Sequence, residues 1–281
     1  MASNTSIADS PKRAFITGAA SGLGRELALR FARAGYRVCV ADIHEERALA
    51  VVAELKALGP DAFFYRCDVS QDANLQNAPA AMQERWGGTD LLINNAGVAG
   101  GGPFDWLSLD DWHWMMNINF NGVLRGCHAF VPAMKEQGHG HIVNIASMAG
   151  LLNPPGMSNY NVAKAAVVSL SETLAPELHP FGIGVTCVCP SFFRTNLGES
   201  LRSPDLSTQQ TLNKLVDNSS DLTAADIADR IFIAAERNQF LVIPHEKAVA
   251  AWQRKCADLD DHLQAQHVLA ENLKQRARRS D

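Results

Sequence analysis

The sequence has 281 residues, of which 47% are hydrophobic and 20% are charged, and its formal net charge is −5. That length fits one large α/β domain, and the mild acidity argues against a nucleic-acid partner. Residues 1–12 are polar and lack the apolar core of a signal peptide, and no apolar run reaches the roughly 18 residues of a membrane span, so we expect a cytoplasmic chain.

Six cysteines lie far apart or within predicted strands. The one close pair, Cys187 and Cys189, lacks a second ligand pair and a nearby histidine. We therefore expect reduced, mostly buried thiols and no resident metal ion, with metal binding as the alternative.

The first element is a strand that leads into a glycine-rich turn. The apolar run from Ala14 to Thr17 is followed by Gly18, Gly22 and Gly24, and then by an amphipathic helix over 25–34. Glycines let the backbone approach a pyrophosphate, whose charge the amides of a helix N-terminus favour. The spacing differs by one residue from the common dinucleotide fingerprint, and glycines also serve as helix caps.

An acidic residue ends the next predicted strand, which runs from Tyr36 to Ala41. Asp42 lies 18 residues after Gly24, where a carboxylate can accept both ribose hydroxyls of NAD and would repel the additional phosphate of NADP. The glycine turn contains no basic residue that could hold this phosphate. Arg47 lies nearby, but it is also typical of a solvated helix face. The pattern favours NAD over NADP.

The alternation of helices and strands then continues. We predict helices over 45–58 and 72–86 and strands over 62–66 and 91–93. Asp68 either touches an adenine edge or caps a helix. The turn Asn94-Asn95-Ala96-Gly97 suits a ligand-facing position, and its asparagines suit hydrogen bonds between adjacent strands equally well.

A possible proton-transfer site lies between His141 and Lys164. The run 141–146 predicts a buried strand that ends at Ser147, and Ser158 and Asn159 are N-cap residue types before a long helix. Tyr160 and Lys164 are four residues apart and share a helix face, so the ammonium would favour the phenolate. The alternative is an ordinary exposed helix face.

Taken together, these motifs resemble the short-chain dehydrogenase/reductase family of the Tyr-x-x-x-Lys type over about residues 12–244. Thr17-Gly18-x-x-x-Gly22-x-Gly24 is similar to the family's cofactor turn, and Asn94–Gly97 is similar to its strand-four motif. Asn119, flanked by Asn117 and Asn121, falls where the family has its fourth catalytic residue, at a kink in a long helix.

The resemblance implies reversible hydride transfer between nicotinamide and a carbinol carbon. Tyr160 would move the hydroxyl proton, Ser147 would hold the substrate oxygen, and Lys164 would bind ribose hydroxyls and lower the tyrosine pKa. Asn119 would complete a proton relay. The cofactor contacts predicted from the residues and the resemblance together are Gly18, Ser21, Gly22, Leu23, Gly24, Asp42, Asp68, Val69, Asn95, Ala96, Gly97, Tyr160, Lys164, Pro190, Phe193 and Thr195.

One position departs from the family pattern. After the predicted strand 182–188, Ser191 follows Pro190 where the family usually has glycine, so the loop must either strain or turn differently. Thr195 would hold the nicotinamide carboxamide. The polar loop that follows, within 191–222, is predicted to be a substrate lid or a disordered surface loop.

The predicted pocket residues carry no charge, which favours a hydrophobic secondary alcohol or ketone over a sugar or hydroxy acid. They are Met148, Leu151, Leu152, Pro155, Met157, Phe192 and Phe193.

The last predicted elements are a helix over 224–236, a strand over 240–244 and a C-terminal helical extension over 245–281. Trp252, Cys256, Leu259 and Leu263 recur at helical spacing and predict one apolar stripe. It would cover the pocket, pack on another subunit, or cap the core of its own chain.

We predict a single doubly wound α/β domain of the Rossmann type over 13–244, after a polar tail over 1–12. About seven parallel strands, a number implied by the resemblance, are flanked by helices. The expected function is NAD-dependent interconversion of a hydrophobic alcohol and its ketone in a homodimer or homotetramer. The alternatives are an NADP-linked carbonyl or 3-oxoacyl-thioester reductase and a non-catalytic nucleotide sensor.

Overall fold

Seven parallel strands form one sheet. The computed structural model of the chain describes residues 11–191, 193, 202–203 and 222–277, except the side chains of 273 and 275–277. The strands are β1 Arg13–Thr17, β2 Arg37–Asp42, β3 Ala62–Arg66, β4 Leu91–Asn94, β5 Gly140–Ile145, β6 Ile183–Val188 and β7 Leu241–Val242. Their order in the sheet is β3-β2-β1-β4-β5-β6-β7, which confirms the predicted fold class.

Helices connect the strands and continue beyond β7. They are α1 Gly22–Arg33, α2 Glu45–Ala57, α3 Asp72–Gln76, α4 Ala78–Trp86, α5 Leu109–Asn119, α6 Asn121–Gln137, α7 Ala149–Leu152, α8 Ser158–Leu178, α9 Ala224–Glu236, α10 Glu246–Ala257 and α11 Leu259–Ala277. Among the described residues, none of the helices combines the length and the apolar character that crossing a bilayer requires.

The sheet has a hydrophobic core on each face. Ala14 and Ile16 of β1 pack with buried residues of α1, α2 and α9. Phe15, which lies between them, points to the opposite face and packs with residues of α4, α6 and α8. Because both faces are covered, the strands read as continuous apolar runs in the sequence, as is usual for parallel sheets.

The strand order reverses between β1 and β4. β2 and β3 continue the sheet on one side of β1, whereas β4, β5 and β6 continue it on the other. In doubly wound sheets, the carboxyl ends of the strands beside such a reversal form a crevice that binds ligands. Gly18, Asn95 and Ser147 follow β1, β4 and β5 and therefore lie at one edge of the sheet.

One predicted helix is broken in the structure. The helix predicted over 72–86 is divided at Asn77 into α3 and α4, and Pro79 occupies the first turn of α4. A proline ring favours a helix start and disrupts a helix interior, which accounts for the break.

The single apolar stripe predicted for the C-terminal extension is also wrong. Asp258 adopts an extended conformation between α10 and α11, so one continuous helix does not form. Cys256, Leu259 and Leu263 are exposed. The other five cysteines are buried as predicted.

Candidate active site

The glycine turn after β1 packs tightly against the start of α1. Gly18 and Gly22 have φ values of +65° and +52°, which favour glycine. A methyl group on Gly24 would lie 2.0 Å from the carbonyl oxygen of Gly18, and one on Gly18 would lie 2.9 Å from the Cα atom of Ala96. Any side chain at these two positions would therefore fill the turn.

The turn after β4 is held against the end of β1. The Asn95 Nδ2 donates to the carbonyl oxygens of Thr17 at 2.9 Å and Gly18 at 3.2 Å. The Thr17 hydroxyl accepts from the backbone N–H groups of Asn95 and Ala96, both at 3.0 Å. Asn95 thus ties neighbouring strands together, as one of the two interpretations of this motif predicted.

Asp42 is buried at the carboxyl end of β2 and faces the glycine turn. Its Oδ2 accepts from the backbone N–H of Ala20 at 2.9 Å, and its Oδ1 accepts from the backbone N–H of His44 at 2.9 Å. These two hydrogen bonds fix the carboxylate beside the turn. The basic residue that follows the turn, Arg25, is already paired with Glu26 and Glu54.

Asp68 forms a local turn after β3. Its Oδ1 accepts from the backbone N–H of Ser70 at 2.9 Å and from the Ser70 hydroxyl at 2.7 Å. The predicted helix cap is therefore wrong, because Gln71 is the N-cap residue of α3 and the Asp68 side chain bonds within the preceding turn. The contact of Asp68 and of the buried Val69 with an adenine ring stays a prediction.

Ser147 lies on the loop between β5 and α7 and is buried. Its Oγ accepts from the backbone N–H of Ala149 at 3.1 Å and donates to the carbonyl oxygen of Pro190 at 3.4 Å. The same carbonyl oxygen accepts from the backbone N–H of Met148 at 2.9 Å. The loop that carries the serine is therefore attached to the loop that follows β6.

Tyr160 and Lys164 occupy the first two turns of α8 and are both buried, so they do not form an exposed helix face. The Lys164 Nζ lies 5.8 Å from the centre of the Tyr160 ring and donates to the carbonyl oxygen of Ile145 at 2.9 Å. The predicted capping is wrong, because Met157 is the N-cap residue and Ser158 Oγ has no partner.

Burial is the largest cause of the pKa shifts of Tyr160 and Lys164. Burial raises the pKa of Tyr160, and the hydrogen bond with the Ser147 hydroxyl acts in the opposite direction. Burial lowers the pKa of Lys164 to about 8. The net lowering of the tyrosine pKa that the sequence predicts is therefore not found, because desolvation of the phenolate outweighs it.

Asn119 lies at a break between two long helices. α5 ends at Asn119, and α6 begins after Phe120, whose φ and ψ are −111° and −57°. The Asn119 amide is buried and holds Val98 with two hydrogen bonds of 2.8 Å, one from the backbone N–H to Oδ1 and one from Nδ2 to the carbonyl oxygen. Asn117, in contrast, pairs with Arg125.

Gly97 lies beside both Asn119 and Lys164. A methyl group on Gly97 would lie 2.8 Å from the Asn119 Oδ1 and 3.6 Å from the Lys164 Nζ. The structure thus brings Ser147, Tyr160, Lys164 and Asn119 to the edge of the sheet that also carries the glycine turn. This arrangement combines a buried phenol, a hydroxyl and a lysine amine, which are the groups needed to transfer a proton to a bound oxygen.

Comparison with known proteins agrees with this geometry. Residues 12–206 match the family profile described as short chain dehydrogenase. The chain belongs to the short-chain dehydrogenase/reductase family. It is therefore an oxidoreductase that acts on CH–OH groups with NAD(P).

A curated relative has a similar length. 2,5-Dichloro-2,5-cyclohexadiene-1,4-diol dehydrogenase LinX from Sphingobium indicum is 36% identical over 231 residues, which cover 82% of this chain and 91% of the relative.

Two solved structures of the family contain different cofactors. A short-chain dehydrogenase/reductase from Burkholderia phymatum in complex with NAD is 36% identical, with a TM-score of 0.84 over 89% of this chain and 95% of that one. A short-chain dehydrogenase from Sphingobium yanoikuyae in complex with NADPH is 29% identical, with a TM-score of 0.75 over 90% of this chain and 94% of that one.

The residues at the sheet edge fit a dinucleotide. The turn at Gly18 and Gly24 leaves no room for side chains, and the N-terminus of α1 follows it directly, which suits a pyrophosphate. Asp42 supplies a carboxylate at the end of β2. The remaining predicted contacts in the described part of the chain are Ser21 at the N-cap of α1, Leu23, Ala96 and Pro190.

The loop after β6 turns without strain at Ser191. Among the described residues, the non-glycine residues with positive φ are Asn153 and Asn238, so Ser191 does not adopt the left-handed conformation. Its backbone N–H donates to His245 Nδ1 at 3.1 Å. Phe193 packs in the core with α1 and α9, which makes it partly a core residue. Phe192, Thr195 and most of the predicted lid lie outside the described residues.

Several residues hold the site in place but are absent from the predicted contacts. Thr17 joins β1 to the turn after β4, and its place at the start of the glycine-rich motif is the signal in the sequence. Gly150 packs on the backbone of α8 at Lys164, and His245 holds Ser191. The described residues contain no group of three or more His, Cys, Asp or Glu side chains arranged to hold a metal.

Proposed function

We propose that this chain is an NAD-dependent oxidoreductase that interconverts a hydrophobic secondary alcohol and its ketone. The observation that carries the proposal is the buried arrangement of Tyr160, Ser147 and Lys164 at the sheet edge shared with Asp42. The bound nicotinamide would accept the hydride of the carbinol carbon in oxidation and return it in reduction.

Tyr160 would move the proton of the substrate hydroxyl. In oxidation its phenolate takes this proton, and in reduction its hydroxyl donates a proton to the carbonyl oxygen. Because burial raises the pKa of Tyr160, the hydroxyl form is favoured near neutral pH. This protonation state supports ketone reduction as the more readily observed direction at neutral pH.

Ser147 would hold the oxygen that exchanges the proton. Its Oγ is fixed by the backbone N–H of Ala149, and its proton would exchange the long 3.4 Å hydrogen bond to the carbonyl oxygen of Pro190 for one to the substrate oxygen. A hydrogen bond from a positioned hydroxyl stabilises negative charge that develops on the substrate oxygen.

Lys164 would bind ribose hydroxyls and connect the tyrosine to Asn119. An ammonium group has three donors, and one of those on Lys164 is directed to the carbonyl oxygen of Ile145. The other two remain for hydroxyl groups or water. The contact between Gly97, Asn119 and Lys164 supports a relay that passes through the break between α5 and α6.

The preference for NAD rests on Asp42. A carboxylate held beside the glycine turn would accept ribose hydroxyls and repel a 2′-phosphate. Arg25 is engaged by Glu26 and Glu54, which leaves it poorly placed to receive that phosphate. The NAD complex of a 36% identical relative is consistent with this preference.

The preference for a hydrophobic substrate rests on the residues around the proton-transfer site. Met157 packs in the same cluster as Tyr160, and Leu152 is buried on the neighbouring α7. The substrate in the name of the Sphingobium relative is a cyclic diol with two chlorine atoms, which belongs to the same chemical class. Cyclic secondary alcohols are therefore the first substrates to try.

The test is absorbance of reduced nicotinamide with a panel of cyclic and linear secondary alcohols and their ketones, with NAD(H) and NADP(H) in parallel. Turnover with NAD(H) and little with NADP(H) would support the proposal. Turnover with NADP(H) alone would replace it with a carbonyl or oxoacyl-thioester reductase. Cofactor binding without turnover on any member would favour a nucleotide sensor.

We further propose that the chain forms a homodimer or homotetramer through its long helices. Leu124 on α6 and Val162 on α8 are exposed apolar residues that a second copy would cover. A hydrodynamic mass equal to one chain of 30.5 kDa would contradict this proposal.

A further inference from the structure

The C-terminal extension contacts the short helix that follows the serine. The Lys255 Nζ, near the end of α10, donates to the carbonyl oxygen of Leu151 at 2.5 Å. His262 Nε2, in the first turn of α11, lies 3.0 Å from the carbonyl oxygen of Leu152, to which it donates. Two side chains of the extension thus bind consecutive carbonyl groups at the end of α7.

α7 needs such partners because it is a single turn. The last carbonyl groups of a helix have no N–H partner within the helix, so side chains or water must satisfy them. Asn153 ends α7 in the left-handed conformation, with φ of 51°. The side-chain amide of Asn153 is oriented so that its nitrogen donates to the carbonyl oxygen of Ala149 and its oxygen accepts from the Lys255 Nζ, at 3.1 Å.

α7 also borders the proton-transfer site. Ala149 of α7 packs in one hydrophobic cluster with Tyr160, Met115 and Met157. Gly150 of α7 packs directly on the backbone of Lys164. A displacement of α7 would therefore change the surface that a substrate meets beside the tyrosine.

The beginning of the extension is attached to the loop that follows β6. His245, the N-cap residue of α10, accepts from the backbone N–H of Ser191 at 3.1 Å. Burial lowers the pKa of His245, so its ring is neutral and Nδ1 can accept. Pro190, next to Ser191, holds Ser147 and Met148. One helix of the extension thus connects two loops that flank the catalytic serine.

We propose that the C-terminal extension forms the outer wall of the substrate site and that Lys255 is the positioning residue that holds α7 in this wall. Only the kinetic consequence of this inference rests on the proposed function. The attachment of α7 is a property of the fold and is measured separately.

The expected consequence is weaker substrate binding with little change in the chemical step. Lys255 and His262 bind carbonyl groups at the end of α7, whereas Ala149 at its start holds Ser147. Loss of Lys255 would therefore release the end of α7 and leave its start, and with it the proton-transfer groups, in place. A change of this kind appears in KM rather than in kcat.

The test compares Lys255→Met with Lys247→Met, a matched control at an exposed lysine on the same helix. Hydrogen–deuterium exchange of residues 151–153 is expected to accelerate about tenfold in Lys255→Met and to stay within about twofold in the control, because exchange reports local opening. KM for a bulky secondary alcohol is expected to rise about fivefold with kcat within about twofold. Lys255→Arg, which keeps a donor, is expected to restore both.

Unchanged exchange at 151–153 in Lys255→Met would overturn the inference, and so would a fall in kcat at constant KM. If the unaltered chain turns over no substrate, the proposed function fails, and the exchange comparison still decides whether Lys255 holds α7. If Lys255→Met does not fold, His262→Leu and its control His267→Leu, an exposed histidine on α11, take the same measurements with the same criteria.

Discussion

The backbone of Gly150 lies against the backbone of Lys164. A methyl group on Gly150 would lie 2.6 Å from the carbonyl carbon and 2.7 Å from the carbonyl oxygen of Lys164. The neighbouring atoms belong to the main chain of α8, which cannot move aside as the end of a side chain can. The serine loop and the helix of Tyr160 thus have a contact distance that only glycine permits.

Gly150→Ala is therefore expected to separate α7 from α8 and to displace Ser147 from Tyr160. A displacement near 1 Å in an active site costs about 10²-fold in kcat/KM, and overpacking of this kind costs about 1–3 kcal/mol of stability. Steady-state kinetics and thermal unfolding measure the two effects. NAD affinity is expected to change less than kcat/KM, because the glycine turn follows β1 and not β5. Unchanged kcat/KM would show that the contact has no role in catalysis.

The protonation states predict different pH dependences for alcohol oxidation and ketone reduction. Burial raises the pKa of Tyr160 and lowers that of Lys164 to about 8. Alcohol oxidation needs the phenolate, so its rate is expected to increase up to about tenfold per pH unit from pH 6 to 8. Ketone reduction needs the hydroxyl form and is expected to stay nearly constant over that range.

Above about pH 8 the slope for oxidation is expected to decrease. Lys164 then loses its charge and no longer supports the phenolate. Initial rates in both directions at saturating cofactor measure these profiles. Oxidation that is independent of pH between 6 and 8 would contradict the role given to Tyr160.

Asp42→Asn is expected to weaken the preference for NAD. The change removes the charge that would repel a 2′-phosphate and keeps an oxygen that can accept from Ala20. We expect KM to rise for NAD and to fall for NADP by about tenfold each, near 1.4 kcal/mol per cofactor. Asp61→Asn is the matched control, since Asp61 precedes β3 at the opposite edge of the sheet and pairs with Arg85. An unchanged ratio of the two KM values would remove Asp42 as the selector.

The pair formed by Arg13 and Asp90 is expected to stabilise the fold. The Arg13 Nε and one terminal guanidinium nitrogen donate to the two carboxylate oxygens, each at 2.8 Å, and the two side chains are 16% and 15% exposed. Asp90→Asn is expected to cost about 2 kcal/mol of unfolding free energy, below the cost of a fully buried pair. Urea unfolding measures it, and Glu54→Gln, in a more exposed pair with Arg25, should cost less than about 1 kcal/mol.

The same pair has a defined pH dependence. Burial alone would raise the pKa of Asp90, but hydrogen bonds and the charge of Arg13 outweigh it and lower the pKa. The stabilisation is thus complete above the unfolded-state pKa of about 4 and is lost as the pH falls through the lower folded-state value. Asp90→Asn should not lose stability over this pH range. Equal stability of the unaltered chain and of Asp90→Asn at pH 7 would contradict a stabilising contribution of the pair.

The sheet and the proton-transfer residues were predictable from the sequence because their signals are local. Apolar runs such as Ile183–Val188 fix a strand to within one residue, and the four-residue spacing of Tyr160 and Lys164 fixes their shared face. The break at Asn77 was missed although Pro79 gave a local signal.

Other features depend on contacts between distant parts of the chain. Lys255 binds a backbone carbonyl 104 residues away, and a carbonyl group has no signature in the sequence. The stripe through Leu259 and Leu263 has helical spacing but faces outward, because tertiary packing decides which face is covered. The raised pKa of Tyr160 follows from burial in the folded chain, which spacing alone does not reveal.

The most direct test of the proposed mechanism compares turnover and cofactor affinity in Tyr160→Phe and in Tyr65→Phe. Tyr65 lies on β3, where its hydroxyl donates to the carbonyl oxygen of Asn74, and serves as the matched control. Loss of general acid–base catalysis predicts a fall in kcat of about 10³-fold or more for Tyr160→Phe, with NAD affinity within about threefold and the control nearly unchanged. Turnover retained by Tyr160→Phe would contradict the proposed mechanism.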